Sequence, residues 1–179
     1  MNRYIAFLRA INVGGHTVRM DYLRELFESL GFARVETFIA SGNVLFEAEP
    51  GDARSLESLI EQKLRVALGY DVATFLRTPA ELSALASYQS FPQPALDAAT
   101  ALNVAFLRDA LDAESLQKLM ALRSEIDDFH AHGREVYWLC LKRQSESIFS
   151  NAVLEKTTGR QSTLRGMKTV QKIAAKYNI

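Results

Sequence analysis

Apolar positions run almost unbroken from Tyr4 to Ile11, with Ile5, Phe7, Arg9 and Ile11 on one side of an extended chain and Tyr4, Ala6, Leu8 and Ala10 on the other. A strand with two apolar faces belongs in the middle of a sheet, covered on both sides. Beyond Gly14 and Gly15, the residues Leu23, Leu26, Phe27 and Leu30 recur at helical spacing, and Gly31 provides a left-handed stop. Arg34 to Ile39 and Val44 to Ala48 are β-prone runs flanking Ser41-Gly42-Asn43, the chemistry of a hairpin turn. Asp52 is placed to cap a second helix with Leu56, Leu59, Ile60, Leu64 and Ala67 on its core face and Gly69 at its end, and Val72 to Arg77 reads as a strand. The order β-α-β-β-α-β is that of a ferredoxin-like split unit with a four-stranded antiparallel sheet.

Thr78-Pro79-Ala80-Glu81 has the form of a capping box and starts a short helix to about Tyr88, after which Phe91-Pro92-Gln93-Pro94 interrupts the pattern. Leu102 to Leu107 then predicts a strand and Ala113 to Leu122 a helix. Ile126 to His130 and Glu135 to Leu141 predict a hairpin turning at Gly133. Helices are expected at Asn151 to Thr157 and from about Gly166 to Tyr177. The fold class read from the pattern is therefore α+β. A ferredoxin-like βαββαβ half spans residues 1–78, a capped helix and proline-containing connector residues 79–100, and a second, similar βαββαα half residues 101–179. The halves share element order without obvious sequence identity.

Composition adds exclusions. At 179 residues, 48% hydrophobic and 23% charged, the chain is long enough for a sizeable core and ordinary for a soluble globular protein. Its 21 basic and 21 acidic residues cancel, so no global field advertises nucleic acid or an anionic membrane, and such a partner would have to meet a local patch. A single cysteine, Cys140, excludes an intramolecular disulfide and a cysteine-rich metal framework. The apolar N-terminal run is interrupted by Arg3 and Arg9 and lacks a small-residue cleavage site, so it is neither a signal peptide nor a membrane span, and a cytoplasmic monomer or homodimer is expected. No cofactor motif and no metal set stand out.

The glycine pair is the chief functional clue. Gly14 and Gly15 can leave peptide N–H groups uncovered near a helix N-terminus, where an anion is favoured, with Arg9, Arg19 and Asn12 to supply charge and orientation. In a split βαβ sheet the first strand lies beside the third, which brings Ser41, Gly42 and Asn43 to the same edge. The same residues also admit a plainer reading, a tight strand-to-helix path and a hairpin turn. An anion, phosphate or nucleotide-binding module is the leading function. An enzyme of unidentified reaction is a rival that lacks a nucleophile with a base. A third reading is nucleic-acid binding through the basic C-terminus, where Arg165 precedes Lys168, Lys172 and Lys176, three lysines at helical spacing. Its base-stacking variant would use Phe7 and Phe46, but the basic-Gly-aromatic signature is missing. His130 and His132 share a strand face without a further matched ligand.

Several of these segments recur together in a known family. Phe7 to Gly15, Met20 with its leucine-rich helix, Ser41-Gly42-Asn43-Val44, Gly133 to Tyr137, Thr163-Leu164-Arg165 and Thr169-Val170 resemble the bacterial family catalogued as domain of unknown function 1697. The resemblance implies a two-part α+β fold with a ferredoxin-like first half, and no known reaction. Family members usually carry Arg-Gly where this chain has Arg9-Ala10, Ser-Lys-Leu at Ser147-Ile148-Phe149, and Thr-Arg-Asn-Trp at Leu164 to Met167.

Overall fold

The structure, a computed structural model, describes all of residues 1–179. It divides into two units, Met1–Ser83 with Ile179, and Ala84–Asn178. In the first, β1 (Asn2–Leu8), α1 (Met20–Glu28), β2 (Ala33–Thr37), β3 (Asn43–Ala48), α2 (Ala53–Leu68) and β4 (Thr74–Arg77) follow one another. The strands lie in the order β2-β3-β1-β4 with every neighbouring pair antiparallel, the ferredoxin-like arrangement. Tyr4, Ala6 and Leu8 of β1 and Val44 and Phe46 of β3 bury one sheet face against Leu23 and Phe27 of α1 and Ile60 and Leu64 of α2. On the other face Ile5, Phe7, Leu45 and Phe75 are buried as well, so β1 is covered on both sides, as its pattern requires.

Two details differ from the pattern. β1 stops at Leu8 rather than Ile11, because Ala10 and Asn12 take the left-handed conformation (φ 62° and 55°) and turn the chain off the sheet. Alternation is lost there, and Ile11 packs in the helix-side core with Tyr4, Ala6 and Leu8 instead of sharing a face with Ile5 and Phe7. On α2, Leu59 is exposed while Glu57 is buried. The reason is β4, an edge strand whose outward N–H groups need acceptors. The Leu76 N–H donates to Glu57 Oε1 at 2.9 Å and the Thr74 N–H to Glu61 Oε1 at 2.8 Å, two carboxylates one helical turn apart.

Thr78 and Glu81 form the expected capping box at the start of α3 (Pro79–Ser87), Glu81 N–H to Thr78 Oγ1 at 3.2 Å and Thr78 N–H to Glu81 Oε2 at 2.8 Å. A short helix, α4 (Gln93–Ala98), occupies part of the stretch read as a connector. The second unit continues with β5 (Ala101–Phe106), α5 (Ala113–Met120), β6 (Asp127–His132), β7 (Glu135–Cys140), α6 (Asn151–Thr158), β8 (Thr163–Gly166) and α7 (Met167–Lys176). Its antiparallel sheet has the order β6-β7-β5-β8, the order of the first sheet repeated element for element. The pattern had two helices in succession here. The strand between them, β8, is four residues of edge carrying a buried arginine, too short and too polar for periodicity to register.

Aligning the two sheets also exposes sequence identity that the linear chain hides. Ile5-Ala6-Phe7-Leu8-Arg9 corresponds to Val104-Ala105-Phe106-Leu107-Arg108. Arg77 pairs with Ile5 and Arg165 with Val104 at the same register position, and each buried arginine donates through Nη1 to the preceding carbonyl, Leu76 O or Leu164 O, at 2.8 Å. The halves are structural duplicates. No helix is long and apolar enough to cross a membrane.

Candidate functional site

The end of β1, the loop of residues 9–19 and the loop of residues 38–42 meet at one sheet edge, as the split βαβ geometry requires. The Leu8 N–H donates to the Gly42 carbonyl at 2.8 Å, and the Asn12 side chain ties both loops together. Asn12 Nδ2 donates to Ala40 O at 2.9 Å while its Oδ1 accepts the Val18 N–H at 2.6 Å. The amide of Asn12 is thus committed to holding the loop. Asn43, fully buried, donates to Phe38 O at 3.0 Å and to Ser41 Oγ at 2.9 Å. Gly42 (φ 76°) has no room for a side chain, since a Cβ there would lie 2.9 Å from the Cβ of Ile11. These residues build the floor of the edge.

Above that floor, Val13 to His16 form a turn closed by the His16 N–H to the Val13 carbonyl at 3.2 Å, with Gly14 (φ 62°) and Gly15 (φ 85°) at its two central positions. Two adjacent left-handed residues define a type I′ turn, which accounts for the glycine pair. The N–H groups of Gly14 and Gly15 donate to nothing in the protein and the space around both Cα atoms is open. Val13 in the turn and Ile39 in the neighbouring loop both expose their side chains, and Ile39 is itself left-handed at φ 50°, a rare conformation for a β-branched residue.

The glycines do not lie directly at the helix N-terminus, because residues 16–19 intervene, and that terminus already holds an anion of its own. Asp21 accepts the Tyr22 N–H at 2.9 Å and pairs with Arg19, Nε to Oδ1 at 3.1 Å and Nη2 to Oδ2 at 2.5 Å. The Arg19 guanidinium, aided by the Tyr22 N–H, holds the Asp21 carboxyl below the usual carboxylate range, and Asp21 raises Arg19 in return. Arg9 is half-buried at the foot of the loop, its N–H on Ala73 O at 2.9 Å. Sequence reasoning passed over one pair at this edge. The exposed imidazole of His16 lies flat on Tyr70, centroids 3.8 Å apart and planes at 25°. Nothing in the spacing of positions 16 and 70 signals that contact.

The other candidates separate. Lys168, Lys172 and Lys176 are exposed on α7, but Arg165 is not with them. It is buried on β8, bonded to Thr163 Oγ1 and Leu164 O at 2.8 Å, and burial pushes its guanidinium down to about 10. Phe7 and Phe46 are buried on opposite faces of their sheet and offer no base-stacking platform. His130 and His132 stack with Tyr88, whose hydroxyl is 2.8 Å from His130 Nε2, and no group of three His, Cys, Asp or Glu is arranged to hold a metal. Cys140 is buried, which pushes its thiol up. Asp127 accepts from Trp138 Nε1 (2.8 Å), Ser147 Oγ (2.7 Å) and Ser124 Oγ (3.2 Å), a clamp on the start of β6.

Comparison with known proteins adds a family and a fold. A family model described as protein of unknown function (DUF1697) matches residues 1–137, which include both loops of this edge and exclude Arg165 and α7. Among solved structures, the conserved bacterial protein SP0830 from Streptococcus pneumoniae is similar over 100% of this chain and 99% of its own, with a TM-score of 0.79 and 23% identity, a likeness of fold. No curated protein matches the sequence.

Proposed function

We propose, from the premise that this chain belongs to the family described as protein of unknown function (DUF1697), that it binds a small anionic ligand at the edge where the loops of residues 9–19 and 38–42 meet. The support is a comparison inside the chain. The second unit makes the corresponding strand-to-helix connection with residues 107–112 and the corresponding hairpin with residues 133–134, whereas the first unit uses residues 9–19 and 38–42. The fold closes without the extra length, and the extra length is where left-handed residues and open N–H groups are gathered.

In this reading Gly14 and Gly15 are the donors and Arg9 and Arg19 contribute positive charge. Asn12, Ser41, Gly42 and Asn43 hold the donors in place. The Arg19–Asp21 pair is exposed, so it contributes little to stability and its guanidinium can exchange partners. Two charge-assisted bonds at about 1.5–3 kcal/mol each correspond to a dissociation constant between roughly several millimolar and some tens of micromolar. The reading assumes a cytoplasmic chain, in keeping with a lone buried thiol at Cys140.

An amide-resolved NMR titration with inorganic pyrophosphate, against sodium chloride at equal ionic strength, tests it. The Gly14 and Gly15 amide resonances are expected to move saturably with pyrophosphate alone. Unmoved glycine resonances at tens of millimolar would reject the site.

A further inference from the structure

Resting on that reading, we infer that the ligand carries a planar aromatic group beside its anion, as a nucleoside diphosphate does, and that His16 is the surface on which that group stacks. His16 follows Gly15 directly, so its ring stands one residue from the free N–H groups. Its imidazole is exposed, and one face is fixed against Tyr70 at 3.8 Å between centroids. Its only interactions in the protein are that stack and its backbone bond to Val13, so the second face and both ring nitrogens are open. An exposed side chain held flat by a partner has already lost most of its rotational freedom, which lowers the cost of stacking a second ring on it.

Two neighbouring facts bear on the same place. Tyr70 follows the helix-ending Gly69 and packs, half-buried, against the core cluster, and its hydroxyl is buried without a hydrogen-bond partner in the protein. Such an orphan is tolerated where its ring has another task, here backing the imidazole. Val13, in the turn itself, and Ile39, next to the Ala40 whose carbonyl Asn12 holds, are exposed at 56% and 54% and offer apolar surface that a base could cover. An inorganic anion would use the N–H groups alone and leave this surface unused, and a base stacked on an aromatic side chain gains a factor of roughly ten in affinity.

The test titrates the full chain with inorganic pyrophosphate and with ADP, both of which present a diphosphate, and follows the Gly14 and Gly15 amides. The wild type is expected to bind ADP about tenfold tighter than pyrophosphate. His16→Ala should abolish that difference while leaving pyrophosphate affinity unchanged, and His16→Phe should restore it. Equal affinities in the wild type, or an ADP preference that survives His16→Ala, would overturn the stacking inference and leave the anion site standing. Glycine amides that respond to neither compound would remove both.

Discussion

Ala10 sits at φ 62°, where an L side chain crowds its own carbonyl and glycine does not. Its left-handed backbone makes alanine strained at this position where glycine would not be. Ala10→Gly is expected to stabilise the protein by about 0.5–1 kcal/mol, read from the midpoint of urea unfolding, less than the full conformational strain because glycine also loosens the unfolded chain. Gly42 is the opposite case, since an added Cβ meets Ile11 at 2.9 Å and the backbone is left-handed besides. Gly42→Ala should cost about 2–4 kcal/mol in the same measurement. If both substitutions proved neutral, the tight junction of the two loops would be refuted.

At the scale of elements, the edges of the sheets account for the polar residues that hydrophobic patterning misassigns. α2 turns Glu57 inward because β4 has no further strand to accept the Leu76 N–H. Removing that acceptor leaves a buried donor unsatisfied. Glu57→Ala is therefore expected to destabilise by about 1–3 kcal/mol, and Glu57→Gln, which keeps a carbonyl at the same reach, by less. Thermal unfolding of the pair distinguishes this from a simple loss of helix charge, which would give both variants the same shift. β6 guards its own edge by similar means. Ser124 exchanges hydrogen bonds with the Asp127 backbone, its Oγ accepting the Asp127 N–H at 3.0 Å and its N–H donating to Asp127 O at 3.1 Å, and Asp128 Oδ1 accepts the Phe129 N–H at 2.8 Å.

Over the whole molecule, 21 positive and 21 negative charges leave the lysines of α7 as a local basic face without a field behind it. The intact protein should flow through a heparin column at low salt. Salt-dependent retention would instead revive phosphate-backbone contact by Lys168, Lys172 and Lys176. Duplication is the other property of the whole chain. One scaffold occurs twice, and only the first copy lengthens both loops at the edge of interest, so the second copy is the internal control for what the fold itself requires.

The element order of the first half, the two-faced first strand, the caps at Asp52 and Thr78 and the meeting of the two loops follow from the residue order alone, whereas β8 does not. Each rests on short-range periodicity, turn chemistry or the known pairing of a split βαβ unit, and these act between residues close in sequence or within one sheet. Tertiary structure decided which candidate groups stay open. Asn12 and Asn43 are engaged by carbonyls, Arg19 by Asp21 and Arg165 by burial, while Gly14, Gly15 and the outer face of His16 remain open. Hydrogen-bond occupancy and burial depend on partners that only folding brings together, as Tyr70 beneath His16 illustrates, and no spacing along the chain encodes them.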